Sequence, residues 1–137
     1  MLVRLAKAIF WTVTLFYAYG ATVHILNIAS LSGFDWPNAP AKWQTLDIVY
    51  LVLDIVVVAG LVRRWTVSLA AFYAAAVSQV VLYTVFRGWI LDVPDAYAIS
   101  PQQQSYLTAL VAFHLVTLTL VTWAIKTTHN KPLNPTA

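Results

Sequence analysis

The chain has no cysteine and no glutamate among its 137 residues, and only 9% of them are charged. Without thiols there is no disulfide framework, no CxxC relay, no thiolate metal ligand and no cysteine nucleophile, so thiol-oxidising membrane enzymes are excluded. With only four glycines, the sequence has no glycine-rich phosphate loop, and it lacks GxSxG and HExxH as well. Soluble domains carry charge on roughly a quarter of their residues. A chain so far below that level is poorly suited to water. The formal net charge of +3 comes from basic residues spaced in ones and twos, not from a continuous patch, so a nucleic-acid partner is not expected.

What is present is apolar length. Hydrophobic residues make up 61% of the chain and the mean hydropathy is +0.74. A hydrocarbon core of about 30 Å takes about 20 helical residues to cross. Four runs meet that length: 8–28, 43–62, 65–86 and 104–125. The expected fold is all-α, an integral membrane bundle of four transmembrane helices in antiparallel up-down-up-down order. It forms a single domain over 1–126, with a disordered cytoplasmic tail over 127–137. All six prolines (Pro37, Pro40, Pro94, Pro101, Pro132 and Pro135) fall outside the runs, as they should where an unpaired backbone acceptor in lipid costs several kcal/mol. Ser100, Pro101 and Gln103 read as N-cap, first-turn proline and capping-box partner at the start of the fourth helix. Trp11, Trp65 and Trp123 fall near one proposed interface and Trp36, Trp43 and Trp89 near the other.

Arg4, Lys7, Arg63, Arg64, Lys126 and Lys131 lie on one side of the proposed membrane and only Lys42 and Arg87 on the other. That asymmetry predicts a multi-pass inner (plasma) membrane protein with both termini cytoplasmic. A signal peptide, suggested by Arg4, Lys7 and the small residues Ala18 and Gly20, is disfavoured because the apolar run continues to Ile28. The plan of a small four-span bundle with short cytoplasmic turns resembles the DoxX-like bacterial membrane proteins. The resemblance is one of architecture and implies the fold alone. The lack of glutamate sets the chain apart from four-helix multidrug exporters that use an acidic residue in their first helix.

Ionisable side chains at bilayer depth are costly and face the interior of a bundle. Counted at 1.5 Å per residue from the basic end, His24, Asp47 and Gln79 fall at roughly 21 to 26 Å, and Asp54 and His114 at roughly 12 to 17 Å. Helical spacing puts Tyr17, Gly20, His24 and Asn27 on one stripe and Asp47, Tyr50 and Asp54 on a second. Gln79, Tyr83 and Arg87 form a third, and Gln103, Leu107, Leu110, His114 and Thr117 a fourth. Four inward stripes make a polar interior, opening away from the basic end and covered by the loops 31–42 and 88–104. The candidate ligand or proton-binding residues are therefore Asp54, His114, His24, Asp47, Arg87, Gln79 and Tyr83. Either His24 or Arg87 is placed to pair with Asp47.

No catalytic residue and no metal site is expected, because neither HxxxH nor ExxH spacing is present. Bis-histidine haem between His24 and His114 is disfavoured by their difference in depth. The favoured expectation is a non-enzymatic accessory or assembly protein without a cofactor, in contact with the lipid bilayer and with a membrane-protein partner or further copies of itself. The alternatives are a binding or transport module for a small lipophilic or protonatable ligand, and a redox subunit holding haem or quinone.

Overall fold

A computed structural model describes residues 2–129 as helices joined by short loops. The elements are α1 (Leu2–Ile28), α2 (Ala41–Arg63), α3 (Val67–Thr84), the short α4 (Arg87–Leu91), a single 3-10 turn (Asp95–Tyr97) and α5 (Pro101–His129). Four of these helices, α1, α2, α3 and α5, are long and apolar enough to cross a membrane. Two bounds differ from the hydropathy reading by four residues or more. Helix α1 begins at Leu2, because Ala6 and Ile9 are buried and draw the basic first turns into the helix. Helix α5 continues to His129, where Thr127 Oγ1 donates to the carbonyls of Trp123 and Ala124. The proposed tail therefore starts inside a helix, and its part from 130 onward lies outside the described residues.

Local chemistry sets the helix ends. At α5 the Ser100 amide donates to Gln103 Oε1 (2.7 Å), while the Gln103 amide donates to Ser100 Oγ (3.3 Å). This reciprocal capping box follows Ser-Pro-x-Gln as the sequence implies. Helix α2 ends with Arg64 in the left-handed region, φ 59° and ψ 37°. There the Trp65 amide donates to Gly60 O (2.7 Å) and the Arg64 amide to Leu61 O (3.4 Å), the two bonds of a Schellman motif. Three residues, Arg64, Trp65 and Thr66, separate α2 from α3.

The long helices pack in the ring order α1, α2, α3, α5 and back to α1. One half of the interior is an apolar core built from Ala6, Ile9, Val13 and Tyr17 of α1, Val57 of α2, Ala71, Phe72, Ala75 and Ala76 of α3, and Val121 and Ala124 of α5. Small side chains on α3 let its backbone come close to both neighbours. Of the alanine cluster in that helix, Ala71, Ala75 and Ala76 face inward and Ala70 and Ala74 outward. Tyr50 OH donates to Ser78 Oγ (3.1 Å) between α2 and α3, and Tyr73 and Thr122 share a 2.8 Å hydroxyl contact between α3 and α5. Such interhelical bonds contribute only about 0.6 kcal/mol each in membrane bundles, so close packing matters more. The outer surface is apolar at mid-helix: Leu15, Tyr19, Val52, Ile55, Leu115 and Val116 are all at least half exposed.

The tightest approach is where α2 meets α3. A Cβ at Gly60 would lie 2.5 Å from Ser68 Cβ and 3.2 Å from Ser68 Cα. Neither atom can swing aside, because one belongs to the backbone. Gly60→Ala should therefore force the two helices apart and destabilise the bundle by about 1–3 kcal/mol, read as a lower midpoint in detergent unfolding followed by circular dichroism.

Candidate functional site

The polar residues lie in the half of the bundle away from the apolar core, on two levels. At the outer level, His24 Nδ1 donates to Asp47 Oδ1 across the α1–α2 interface at 2.7 Å. Both side chains are mostly covered, 19% and 12% exposed. The bond fixes the imidazole so that Nε2 is left over, and Asp47 Oδ2 is left over with it. Among the described residues neither atom has a hydrogen-bond partner, and the same holds for the hydroxyl of Tyr83. All three residues line one cavity of about 230 Å³, together with Asn27, Tyr50 and Leu107. A single water requires only about 10–15 Å³ on this measure.

Loop aromatics form the roof. Phe34 and Trp43 reach the cavity from the α1–α2 connection and the first turn of α2, while Ile90, Leu91 and Ile99 reach it from α4 and the segment after it. Phe34, Trp43 and Tyr97 contact one another with ring centroids 6.1 to 6.2 Å apart. Trp43 Nε1 donates to Ile90 O (3.0 Å), and Tyr97 OH donates to Asp35 O (3.3 Å). Lys42 Nζ donates to the carbonyls of Trp89 and Asp92 and lies 5.1 Å from the centre of the Trp89 ring. A charged donor on two carbonyls is stronger than neutral pairs. Helix α2 thus clamps the loop that closes the cavity. The short α4 turns Ile90 inward, where it is buried, and leaves Trp89 half exposed.

The inner level holds Asp54, Tyr17 and His114. Asp54 is 3% exposed and packs against the α1 backbone, where a Cβ on Gly20 would meet its Oδ2 at 2.5 Å. It accepts no hydrogen bond among the described residues and lies within electrostatic reach of His24, Tyr17 and Tyr50. His114 has no exposed surface, and its Nδ1 donates to Leu110 O at 2.8 Å. Tyr17 OH and His114 Nε2 are buried without partners among the described residues, and their rings stand edge to face at 6.2 Å. Phe16 stacks on Phe113 at 3.8 Å and closes the far side of His114. Gln79 is buried on α3 and contributes to neither the outer cavity lining nor any hydrogen bond among the described residues.

Six of the seven candidate residues therefore face the interior, and His24 and Asp47 are joined directly. Arg87 departs from the expected stripe. Helix α3 stops at Thr84 and the chain turns at Phe86, so Arg87 opens α4. Its guanidinium donates to Thr108 Oγ1 (3.1 Å) and Gln104 O (2.9 Å) and ties α4 to α5. Asp47 is thus paired by His24 and not by Arg87. His24 lines the outer cavity and His114 does not, so the two imidazoles do not share one site. Among the described residues no three His or Asp side chains converge in a metal-holding group. The loops 31–42 and 88–104, expected to cover the interior, supply the lining residues Phe34, Ile90, Leu91 and Ile99, whereas the part of Trp43 in that lining and the clamp at Lys42 had no signal beyond the density of aromatics between 34 and 43.

His24→Leu would leave Asp47 with no partner at a largely covered position, a loss of about 1–3 kcal/mol. The double variant His24→Leu/Asp47→Leu should regain much of it, since replacing both partners removes the stranded charge. Thermal unfolding of the detergent-solubilised pair, single against double, measures the difference. Comparison with protein-family models, with curated proteins and with solved structures finds no match for this chain, so the resemblance to DoxX-like proteins has no family support.

Proposed function

We propose that this chain is a four-span membrane protein whose loop-covered cavity binds a small lipophilic molecule with a protonatable or hydrogen-bonding head. Support for the bilayer comes from four helices of spanning length and from the exposed apolar side chains at mid-helix. Alternate crossing of the four helices fits the three-residue α2–α3 turn and the gathering of the α1 start, α2 end and α3 start in one core. The basic end, with Arg4, Lys7, Arg63, Arg64 and Lys126, then faces the cytoplasm of an inner (plasma) membrane and the roofed cavity the opposite side.

The observation that carries the binding reading is the set of polar atoms left over at the cavity wall. A cluster that served packing alone would satisfy its donors and acceptors internally. Here His24 Nε2, Asp47 Oδ2 and Tyr83 OH have no partner among the described residues and line a space larger than one water. The walls around them are apolar and aromatic, which is the usual composition of a small-molecule site. Asp54 and Tyr17 lie beneath and extend the polar groups toward the apolar core. The reading gains ground on the accessory role, in which the same residues only hold the helices together.

Native mass spectrometry of protein gently solubilised from its own membrane tests the choice. The wild type is expected to retain a small non-lipid molecule, and Asp47→Asn and Tyr83→Phe to lose it while keeping their helical content. A wild type and variants that carry the same masses, with unchanged cellular activity, would return the chain to the accessory role.

A further inference from the structure

A second groove lies at the opposite, basic end of the bundle and has a different chemistry. It has a volume of about 650 Å³ between the first turns of α1 and the α2–α3 turn. Lys7 and Arg64 line its mouth, Trp11 and Trp65 flank it, and Phe10 and Leu69 belong to its apolar wall. No acidic residue is present in the lining. Among the described residues neither Lys7 nor Arg64 makes an ion pair or a side-chain hydrogen bond, so both cations are available. Arg63 lies over the Trp65 ring at 5.2 Å and adds positive charge beside them.

The backbone at Arg64 points the same way. Its φ of 59° is the conformation at which glycine ends helices without steric conflict and a side chain carries a penalty. A Schellman turn of this kind requires only the backbone. An arginine rather than a glycine in this position is accounted for if its side chain has a task of its own. The two cations, the two indoles and the apolar trough together offer the kinds of surface that an anionic phospholipid needs: charge for its phosphate, indole for the glycerol region and apolar side chains for an acyl chain.

We infer that this groove is a binding site for one anionic phospholipid, with its phosphodiester on Lys7 and Arg64 and an acyl chain along Phe10 and Leu69. The inference rests on the bilayer reading and is independent of the ligand in the roofed cavity. The test is native mass spectrometry of the full chain in detergent, titrated separately with phosphatidylglycerol and phosphatidylcholine. Phosphatidylglycerol should be retained about ten-fold more tightly, because its headgroup carries a net negative charge toward the two cations while the choline cation of phosphatidylcholine offsets its phosphate. Lys7→Gln and Arg64→Gly should each remove most of that preference. Arg64→Gly is the informative variant, because glycine relaxes the turn and the fold is kept. Equal retention of the two lipids, or a preference that survives both substitutions, would overturn the site. Protein that stays monodisperse in water without detergent would instead overturn the bilayer reading on which the site rests.

Discussion

Asp47 and Asp54 are seven residues apart on one apolar helix, and that spacing constrains everything around them. Seven residues bring an α-helix almost back to its starting angle, so both carboxyl groups project from the same face of α2. A carboxyl group turned toward hydrocarbon costs about 2.5–3.5 kcal/mol even on insertion scales. The rotation of α2 about its own axis is therefore set by its two acids. Once that face points inward, α1 must answer it, and it does so with His24 at one level and the bare backbone of Gly20 at the other.

The two levels are solved differently. At the outer level a charged group meets a side-chain partner and still leaves lone pairs directed at a cavity. At the inner level Asp54 has close packing and nearby hydroxyls in place of a bond. A mainly apolar core, with the small hydroxyls of Thr14 and Ser68 buried beside it, takes over from there to the basic end. The bundle thus grades from polar and roofed to apolar and tightly packed, and the graded interior separates a ligand-sized space from the part of the molecule that supplies rigidity. The loops complete the division: Lys42 and Trp43 hold the α4 segment over the polar half, whereas the other end has only a three-residue turn.

Much of this was legible without coordinates. The count of four long apolar helices, the Ser100–Gln103 capping box and the inward stripe Asp47–Tyr50–Asp54 follow from local periodicity and from the expense of leaving polar groups on an apolar helix surface. The stripe on α3 failed at Arg87 because a helix end is settled by what the chain meets there, and the turn at Phe86 moved Arg87 onto a new element. The bounds of α1 and α5 were underestimated because basic and hydroxyl residues break a hydropathy run without breaking a helix.

From the amino-acid order alone come the four apolar lengths, the side each polar residue takes on its own helix and the collection of basic residues at one end. These depend on interactions within a few turns and on the solvent each face demands. The tertiary structure decided which partner Asp47 takes, that Gly20 and Gly60 are points of closest approach, and that residues 34, 43, 90 and 99 close one cavity. Those outcomes depend on the relative rotation and height of separate helices, and no periodicity within a single helix encodes them.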